Sequence, residues 1–368
     1  MSVLLIASNS AWNIINFRSG LLSALIAEGH EVIVCCPNDP CSSQIIETGA
    51  KFVPLAFSRD GLNPLSDLLL LAKYVRILRR YRPDYILAFT AKPNIYGGLA
   101  ARLCGVKSIQ NITGLGSSFI KGGLVWTCVK TLYKLALRSS AHIFVQNPDD
   151  KFMFEQQGFA QSQNISLLPG SGIDVDKFQS NRTDTGNKVF RFLMVSRLIA
   201  HKGVREYAEA ASILKAKGVH CECCLLGGLD NHNPSNVSFS ELEEWQKNKG
   251  VIYLGETDNP VPYYQAANCV VLPSYHEGAP RTLIEAGALG LPSVTTDVPG
   301  CRFVVQNGRT GLTAKARDAH HLAEKMLEMF EMSEAQRDQM GKAARARIVS
   351  EFSEEKIISS YKSVIESS

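Results

Sequence analysis

Two glutamates in residues 272–287 are the side chains with the clearest chemical potential in this sequence. Glu277 and Glu285 stand eight positions apart in Leu-Pro-Ser-Tyr-His-Glu-Gly-Ala-Pro-Arg-Thr-Leu-Ile-Glu-Ala-Gly. The pattern predicts a strand that ends before them, a turn at Glu277 and Gly278, and a helix with Pro280 at its first position, where a missing N–H costs nothing. Glu277 would lie at the mouth of that helix and Glu285 about a turn and a half further along. Carboxylates so placed can accept hydrogen bonds from the hydroxyl groups of a sugar or a ribose.

The first turn of the same helix should present backbone N–H groups that have no partner within the helix. They belong to Arg281, Thr282 and Leu283, and the positive end of a helix dipole favours an anion. The stretch therefore predicts a site for an anionic ligand that carries hydroxyl groups. Solvated charge at a helix start is the simpler explanation when the two glutamates are considered without their flanking residues.

With those flanking residues, the stretch resembles the signature of the retaining family 4 glycosyltransferases, which have the GT-B fold. The resemblance rests on Pro-Ser-Tyr-x-Glu-Gly followed by Glu-Ala, and it extends over nearly the whole chain. It implies transfer of a sugar from a nucleoside diphosphate with retention at the anomeric carbon. It also implies that Glu277 lies by the donor sugar and that Glu285 binds the ribose. Gly278 and the helix start at Arg281, Thr282 and Leu283 would complete the donor site.

A second element of the resemblance is Val-Ser-Arg-Leu-Ile-Ala-His-Lys-Gly at residues 195–203. The family uses an arginine and a lysine at this spacing to hold the donor diphosphate, which implies that role for Arg197 and Lys202. Two fixed cations would offset the phosphate charge as the bond to the anomeric carbon breaks. The expectation is therefore a site that needs neither a metal nor a cofactor. A surface arginine and lysine beside a turn would be the alternative if the glutamates were absent.

The first half of the chain resembles transferases that add N-acetylhexosamines to undecaprenyl-diphosphate sugars in bacterial surface-polysaccharide or glycan-lipid synthesis. The similar stretches are residues 89–97, which contain Lys92, and residues 111–116. They imply a UDP-sugar donor and a polyprenyl-diphosphate-linked saccharide as acceptor. Gly114 and Gly116 would let the backbone approach the donor closely, although turn glycines without a ligand are an equal alternative. Lys92, Asn16 and Arg18 are expected to contact the acceptor, and a local role at a helix start explains Asn16 and Arg18 nearly as well.

Two series of alternating strand and helix patterns must position these residues. The chain has 368 residues, too many for one ordinary core, so two domains are expected. We predict an α/β protein with two doubly wound, Rossmann-like halves that face each other across a cleft. The acceptor-binding half would span residues 1–170 and the nucleotide-sugar-binding half residues 171–353, with a polar linker near the boundary. The last helix, 354–368, is expected to pack back on the first half.

Composition and charge exclude several classes of protein. A formal net charge of +4 is too small for a dedicated nucleic-acid binder. The ten cysteines lie mostly in apolar runs without paired metal-binding spacing, which indicates structural thiols in a reducing cytoplasm. Residues 1–7 indicate a first strand instead of a signal peptide. No apolar run approaches the roughly 18 residues that a transmembrane helix needs.

A lipid-linked acceptor would require contact with a bilayer, and residues 124–138 are the predicted interfacial helix. This segment mixes basic and aromatic or leucine side chains at helical spacing, as interfacial helices do: Leu124, Trp126, Lys130, Leu132, Tyr133, Lys134, Leu137 and Arg138. A second basic cluster lies between Lys73 and Arg82. A core helix with a solvated basic face is an equally good interpretation. The expected location is the cytoplasm, with peripheral contact to the inner face of the membrane.

Other functions remain open within the same fold. A GT-B epimerase would release a free hexosamine and need no acceptor, and a phosphorylase would need a lysine placed for a pyridoxal cofactor. A non-catalytic partner subunit would keep the fold but could lose Arg197, Lys202, Glu277 and Glu285, all of which are present. A third alternative is a Rossmann oxidoreductase, which is disfavoured because no Gly-x-Gly-x-x-Gly follows the first strand.

Overall fold

The computed structural model describes residues 1–58, 63–114, 123–159, 161–179, 189–230, 233 and 235–367. The chain divides into two compact units. Unit 1 consists of Met1–Gly172 together with Glu354–Ser368, and unit 2 consists of Ile173–Ser353. Each unit has its own parallel sheet, of seven strands in unit 1 and six in unit 2.

Unit 1 is built on a sheet with the strand order β3-β2-β1-β4-β5-β6-β7. The strands are β1 Val3–Ala7, β2 Glu31–Cys36, β3 Lys51–Pro54, β4 Tyr85–Phe89, β5 Lys107–Ile112, β6 His142–Val145 and β7 Ile165–Leu167. The helices are α1 Ala11–Ala27, α2 Ser42–Glu47, α3 Pro64–Tyr81, α4 Gly98–Cys104, α5 Gly123–Leu137 and α6 Pro148–Gln156. The central strand β1 pairs in parallel with both neighbours, so that Leu5 lies opposite Ile33 and Ile86. Central strands are almost entirely buried and read as continuous apolar runs because helices cover both faces.

Unit 2 repeats this plan with the strand order β10-β9-β8-β11-β12-β13. The strands are β8 Phe190–Val195, β9 Cys221–Leu226, β10 Val251–Tyr253, β11 Cys269–Leu272, β12 Ser293–Thr296 and β13 Gly311–Ala314. The helices are α7 Val204–Ala216, α8 Phe239–Glu244, α9 Val261–Gln265, α10 Arg281–Ala288, α11 Pro299–Val304, α12 Ala319–Glu331 and α13 Glu334–Glu351. The direction of winding reverses between β8 and β11. Ligands of doubly wound sheets bind at the carboxyl ends of strands beside such a switch point.

The last helix, α14 Glu354–Ser367, belongs to unit 1. Its Ile357, Tyr361 and Ile365 are buried in the core beneath β1, β2 and β4. The Asn111 amide on β5 donates to the Tyr361 hydroxyl at 2.8 Å. The last helix therefore packs against the sheet of unit 1 and is hydrogen-bonded to β5.

Candidate functional site

The loop after β8 brings Lys202 to the end of β11. The segment Ala200–Lys202 forms a single 3₁₀ turn that ends at Gly203, whose φ is 76°. A Cβ on Gly203 would lie 2.1 Å from the Pro273 carbonyl oxygen, so only glycine permits this approach. The Tyr275 N–H donates to the His201 carbonyl at 2.9 Å and fixes the two loops together. Both loops leave carboxyl ends of strands at the switch point.

Lys202 and Glu277 form a largely buried ion pair at this position. The Lys202 Nζ lies 2.5 Å from the Glu277 Oε1, with side-chain exposures of 19% and 11%. The Ser274 hydroxyl donates to the same carboxylate oxygen at 2.7 Å. Burial alone would raise the pKa of Glu277, but the Lys202 charge and the hydrogen bonds from Lys202 and Ser274 hold that pKa below its ordinary value. Glu277 is therefore an ionised acceptor at neutral pH.

Gly300 holds the turn that carries Glu277. A Cβ on Gly300 would lie 2.3 Å from the Glu277 carbonyl oxygen and 2.4 Å from the Gly278 carbonyl oxygen. The start of α11 thus packs directly on the backbone of the turn, and a larger residue would displace it. The sequence does not predict that Gly300 packs on this turn, although the Pro-Gly pair after a strand is a recognisable signal of close backbone approach.

Glu285 is held in place by two partners, one of them on its own helix. The Arg281 Nε donates to its Oε1 at 2.9 Å, and the Tyr264 hydroxyl donates to its Oε2 at 3.0 Å. The Thr282 hydroxyl donates to the Val195 carbonyl at 2.9 Å, which ties the first turn of α10 to the end of β8. Arg281, Thr282 and Glu285 therefore lie at the same switch point as the loop with Lys202.

Two details of the predicted helix start are wrong. Pro280 is the residue that precedes α10, with extended backbone, instead of its first helical residue. The Leu283 N–H donates to the Pro280 carbonyl at 3.1 Å, so it is not available to an anion. Leu283 itself is buried in the core of unit 2, where it positions the helix.

Arg197 lies on the rim of this edge. Its guanidinium is 3.2 Å from the Asp230 carboxylate and its side chain is about half exposed. Asp230 was not recognised from the sequence, because nothing in its neighbourhood forms a motif. Glu256, in the loop after β10, lies close to Gly228. A Cβ on Gly228 would lie 2.5 Å from the Glu256 carboxylate.

His201, next to Lys202, adds a titratable group to the site. Burial lowers its pKa, and the positive charge of Lys202 lowers it further, against the opposing effect of Glu277. The imidazole is therefore mainly neutral near pH 7. Among the described residues, no group of three or more His, Cys, Asp or Glu side chains is placed to hold a metal ion.

The acceptor residues predicted in unit 1 have different surroundings. Asn16 is exposed, and its amide donates to the Trp12 carbonyl at 3.0 Å. The Arg18 guanidinium is buried, bonded to the Asn13 side chain at 2.6 Å and stacked 4.1 Å from the centre of the Phe89 ring. These contacts favour the local interpretation for Arg18 over contact with a diphosphate.

Lys92 follows β4 at the switch point of unit 1. Its Nζ lies 2.9 Å from the Asp67 carboxylate, and both side chains are largely buried. The pair borders a cavity of about 110 Å³ that Lys73 also lines. Gly114 has a φ of 127°, a conformation that favours glycine, and Gly116 lies outside the described residues.

The predicted interfacial face of α5 is partly wrong. Tyr133 and Leu137 are each 2% exposed and lie in the core of unit 1, so they cannot face a bilayer. Lys134 and Arg138 are exposed, while the side chains of Leu124 and Trp126 lie outside the described residues. Within the described chain, no helix has both the length and the apolar character that a membrane span requires.

The sequence matches two family models, one in each half. Residues 2–147 match the model described as glycosyl transferase 4-like, and residues 175–347 match the model of glycosyl transferases group 1. The chain is 32% identical over 342 residues, 88% of each chain, to the N,N'-diacetylbacillosaminyl-diphospho-undecaprenol alpha-1,3-N-acetylgalactosaminyltransferase of Campylobacter jejuni. The chain is a group 1 glycosyltransferase.

A second relative and a solved structure agree with this assignment. The glycosyltransferase is 24% identical over 297 residues to the UDP-Gal:alpha-D-GlcNAc-diphosphoundecaprenol alpha-1,3-galactosyltransferase of Escherichia coli. The aligned region covers 78% of this chain and 76% of the E. coli relative. The crystal structure of Anabaena Alr3699/HepE in complex with UDP-glucose superposes with a TM-score of 0.81 at 17% identity over the full length of both chains. The fold of the glycosyltransferase is therefore GT-B, which confirms the predicted fold class.

Proposed function

We propose that this glycosyltransferase moves a sugar from a UDP-sugar to a saccharide linked to a polyprenyl diphosphate, with retention and without a metal. The observation that carries the proposal is the largely buried Lys202–Glu277 pair at the switch point of unit 2. At that position the Lys202 ammonium would contact the diphosphate of the donor. The Glu277 carboxylate would accept hydrogen bonds from the hydroxyl groups of its sugar. The relatives named for transfer to diphospho-undecaprenol sugars support the acceptor class.

Unit 2 offers separate groups for each part of the donor. Lys202 and Arg197 follow β8 and would bind the diphosphate beside the first turn of α10, whose dipole also favours an anion. Glu277 would accept hydrogen bonds from the sugar hydroxyls. Glu285, held by Arg281 and Tyr264, would accept from the ribose diol. Lys202 then exchanges part of its contact with Glu277 for contact with the diphosphate.

The proposed transfer takes place on one face of the sugar. The bond from the anomeric carbon to the diphosphate oxygen breaks, and its electron pair leaves with the diphosphate. The acceptor oxygen forms its bond to the same face, and the acceptor proton passes to the departing phosphate oxygen. Each glutamate already has a charged partner, Lys202 for Glu277 and Arg281 for Glu285. These contacts support a route in which neither carboxylate acts as a nucleophile. Removing one cation that stabilises the leaving group should lower turnover by about 10²–10³-fold.

The donor sugar is proposed to be an N-acetylhexosamine. The support is the name of the Campylobacter relative, an N-acetylgalactosaminyltransferase that is similar over most of both chains. The E. coli relative is named for a UDP-galactose donor, which supports the nucleotide class that we propose here.

Nucleotide binding tests the donor site directly. Thermal unfolding is measured with UDP, GDP, ADP and UDP-N-acetylgalactosamine, first in EDTA and then with magnesium. A ligand that binds only the folded state raises the melting temperature by mass action, so UDP and its sugar should stabilise the protein in EDTA. Lys202→Met should abolish the shift, while Lys325→Met, in a surface Lys–Glu pair of the same unit, should keep it. No shift with any nucleotide, or a shift only with magnesium, would contradict the proposal.

A further inference from the structure

Helix α3 carries an exposed group of leucines in its first turns. Asn63 caps the helix by accepting from the N–H groups of Leu65 and Ser66 at 3.1 and 3.3 Å. Leu65, Leu68 and Leu69, here called the leucine patch, are 70%, 62% and 57% exposed. Single exposed leucines are ordinary, but three at helical spacing form one continuous apolar surface.

Basic side chains continue the same face of the helix. The basic patch consists of Lys73, Arg76, Arg79 and Arg80, all exposed. At 100° per residue, the two patches share a stripe about 140° wide and about 22 Å long. The opposite face is buried and includes Tyr74 and Leu78. The one acidic residue of the helix, Asp67, is on that buried side, paired with Lys92.

We propose that the leucine patch and the basic patch of α3 dock the protein on the surface of an anionic lipid bilayer. An apolar stripe followed by cations is the pattern by which interfacial helices insert leucines between head groups while basic residues contact lipid phosphates. A second copy of the chain is a poorer occupant, because face-to-face pairing would set each basic patch against the other basic patch or against a leucine patch. The inference rests on the proposed function in that a lipid-linked acceptor lies at such a surface.

Flotation with vesicles tests the docking surface without donor or acceptor. Vesicles of phosphatidylcholine alone are compared with vesicles that also contain phosphatidylglycerol. The wild-type protein should bind the anionic vesicles more strongly, and each basic residue should contribute about fivefold. A wild-type protein that binds neither vesicle would overturn the inference. Stabilisation by UDP in the same preparation would show that the donor site is intact, so the two proposals fail separately.

The basic patch is tested against the alternative basic helix α5. The variant Lys73→Gln/Arg76→Gln/Arg80→Gln should weaken binding to anionic vesicles by about a hundredfold. The matched variant Lys130→Gln/Lys134→Gln/Arg138→Gln removes the same charge from α5 and should bind as the wild type does. Equal loss in both triple variants would overturn the assignment to α3.

The leucine patch is tested against other exposed apolar residues of unit 1. The variant Leu65→Ser/Leu68→Ser/Leu69→Ser should lose at least about tenfold in vesicle binding, since its leucines no longer insert. The control replaces three side chains of similar exposure by serine: Ile46, Leu103 and Phe152. Unchanged flotation of the leucine variant overturns the inference. A wild-type dimer that the leucine variant converts to monomer in size-exclusion chromatography would assign the patch to self-association instead.

Discussion

Removing one partner of the Lys202–Glu277 pair should destabilise unit 2 far more than removing a surface pair does. The perturbation is a double-mutant cycle with Lys202→Met, Glu277→Gln and both together. The pair is 2.5 Å long and mostly buried, so either single change leaves the other charge in a site with little water. The double variant removes both charges and should recover much of the loss.

The magnitude follows from the geometry. At 2.5 Å and an effective dielectric constant of about 20, the attraction is about 6–7 kcal/mol. Water that reaches the partly exposed side chains screens this attraction further, so we expect a coupling free energy of about 2–3 kcal/mol, within the range of about 1.5–7 kcal/mol for close charge pairs. The control pair Lys325–Glu328 is one helical turn apart and more exposed, and its coupling should be about 0.3–0.5 kcal/mol.

The assay must report on unit 2 alone, because a chain with two units can unfold in two steps. The protein has three tryptophans, and Trp245 is buried in the core of unit 2. With Trp12→Phe and Trp126→Phe as the background, urea unfolding followed by Trp245 fluorescence measures the free energy of that unit. A coupling for Lys202–Glu277 no larger than that of the control pair would refute the reasoning.

Three further predictions concern the support of the site, its titration and the packing of the last helix on unit 1. Gly300→Ala should lower turnover without loss of the fold, because the alanine Cβ would collide with the Glu277 and Gly278 carbonyls. Steady-state kinetics measures the turnover, and circular dichroism checks the fold. Turnover equal to that of the wild type would contradict this prediction. The depressed pKa of Glu277 means that the stability of its ion pair is complete above pH of about 4.3 and is lost as the pH falls below that value. The free energies of unfolding of the wild type and Glu277→Gln, measured in urea, should therefore converge only in acid. Convergence near pH 6 would contradict a depressed pKa for Glu277. Tyr361→Phe leaves the buried Asn111 amide without its acceptor and should cost unit 1 about 1–3 kcal/mol, measured by urea unfolding; a cost below about 0.3 kcal/mol would argue against that bond.

The sequence predicted the central strands and the fold class because central parallel strands are continuous apolar runs. The same reasoning does not predict β3, β7 or β13, which all lie at sheet edges. These strands have three or four residues, and β3 is largely open to solvent. A strand of three or four residues is too short to show a clear alternating or apolar pattern, so sequence periodicity alone does not separate it from a loop.

The residues of the candidate site could be predicted from the sequence, but their contacts with one another could not. Glu277 and Lys202 were each recognisable from their motifs, yet 75 positions separate them, and only the sheet topology brings the two loops together. Gly203 and Gly300 create that contact by allowing close backbone approach. For the membrane surface, periodicity favoured α5, since it cannot tell which face of an apolar helix is buried; burial assigns Tyr133 to the core and leaves the leucines of α3 exposed.

The configuration of the product is the most direct test of the central claim. The protein is incubated in EDTA with α-configured UDP-sugars and a prenyl-diphosphate N-acetylhexosamine acceptor, and the new linkage is read from the anomeric proton coupling in the NMR spectrum. The account predicts an α-linked disaccharide on the lipid, formed only when acceptor is present and lost in Lys202→Met. A β-linked product, or free sugar released at the same rate without acceptor, would contradict retaining transfer at this site.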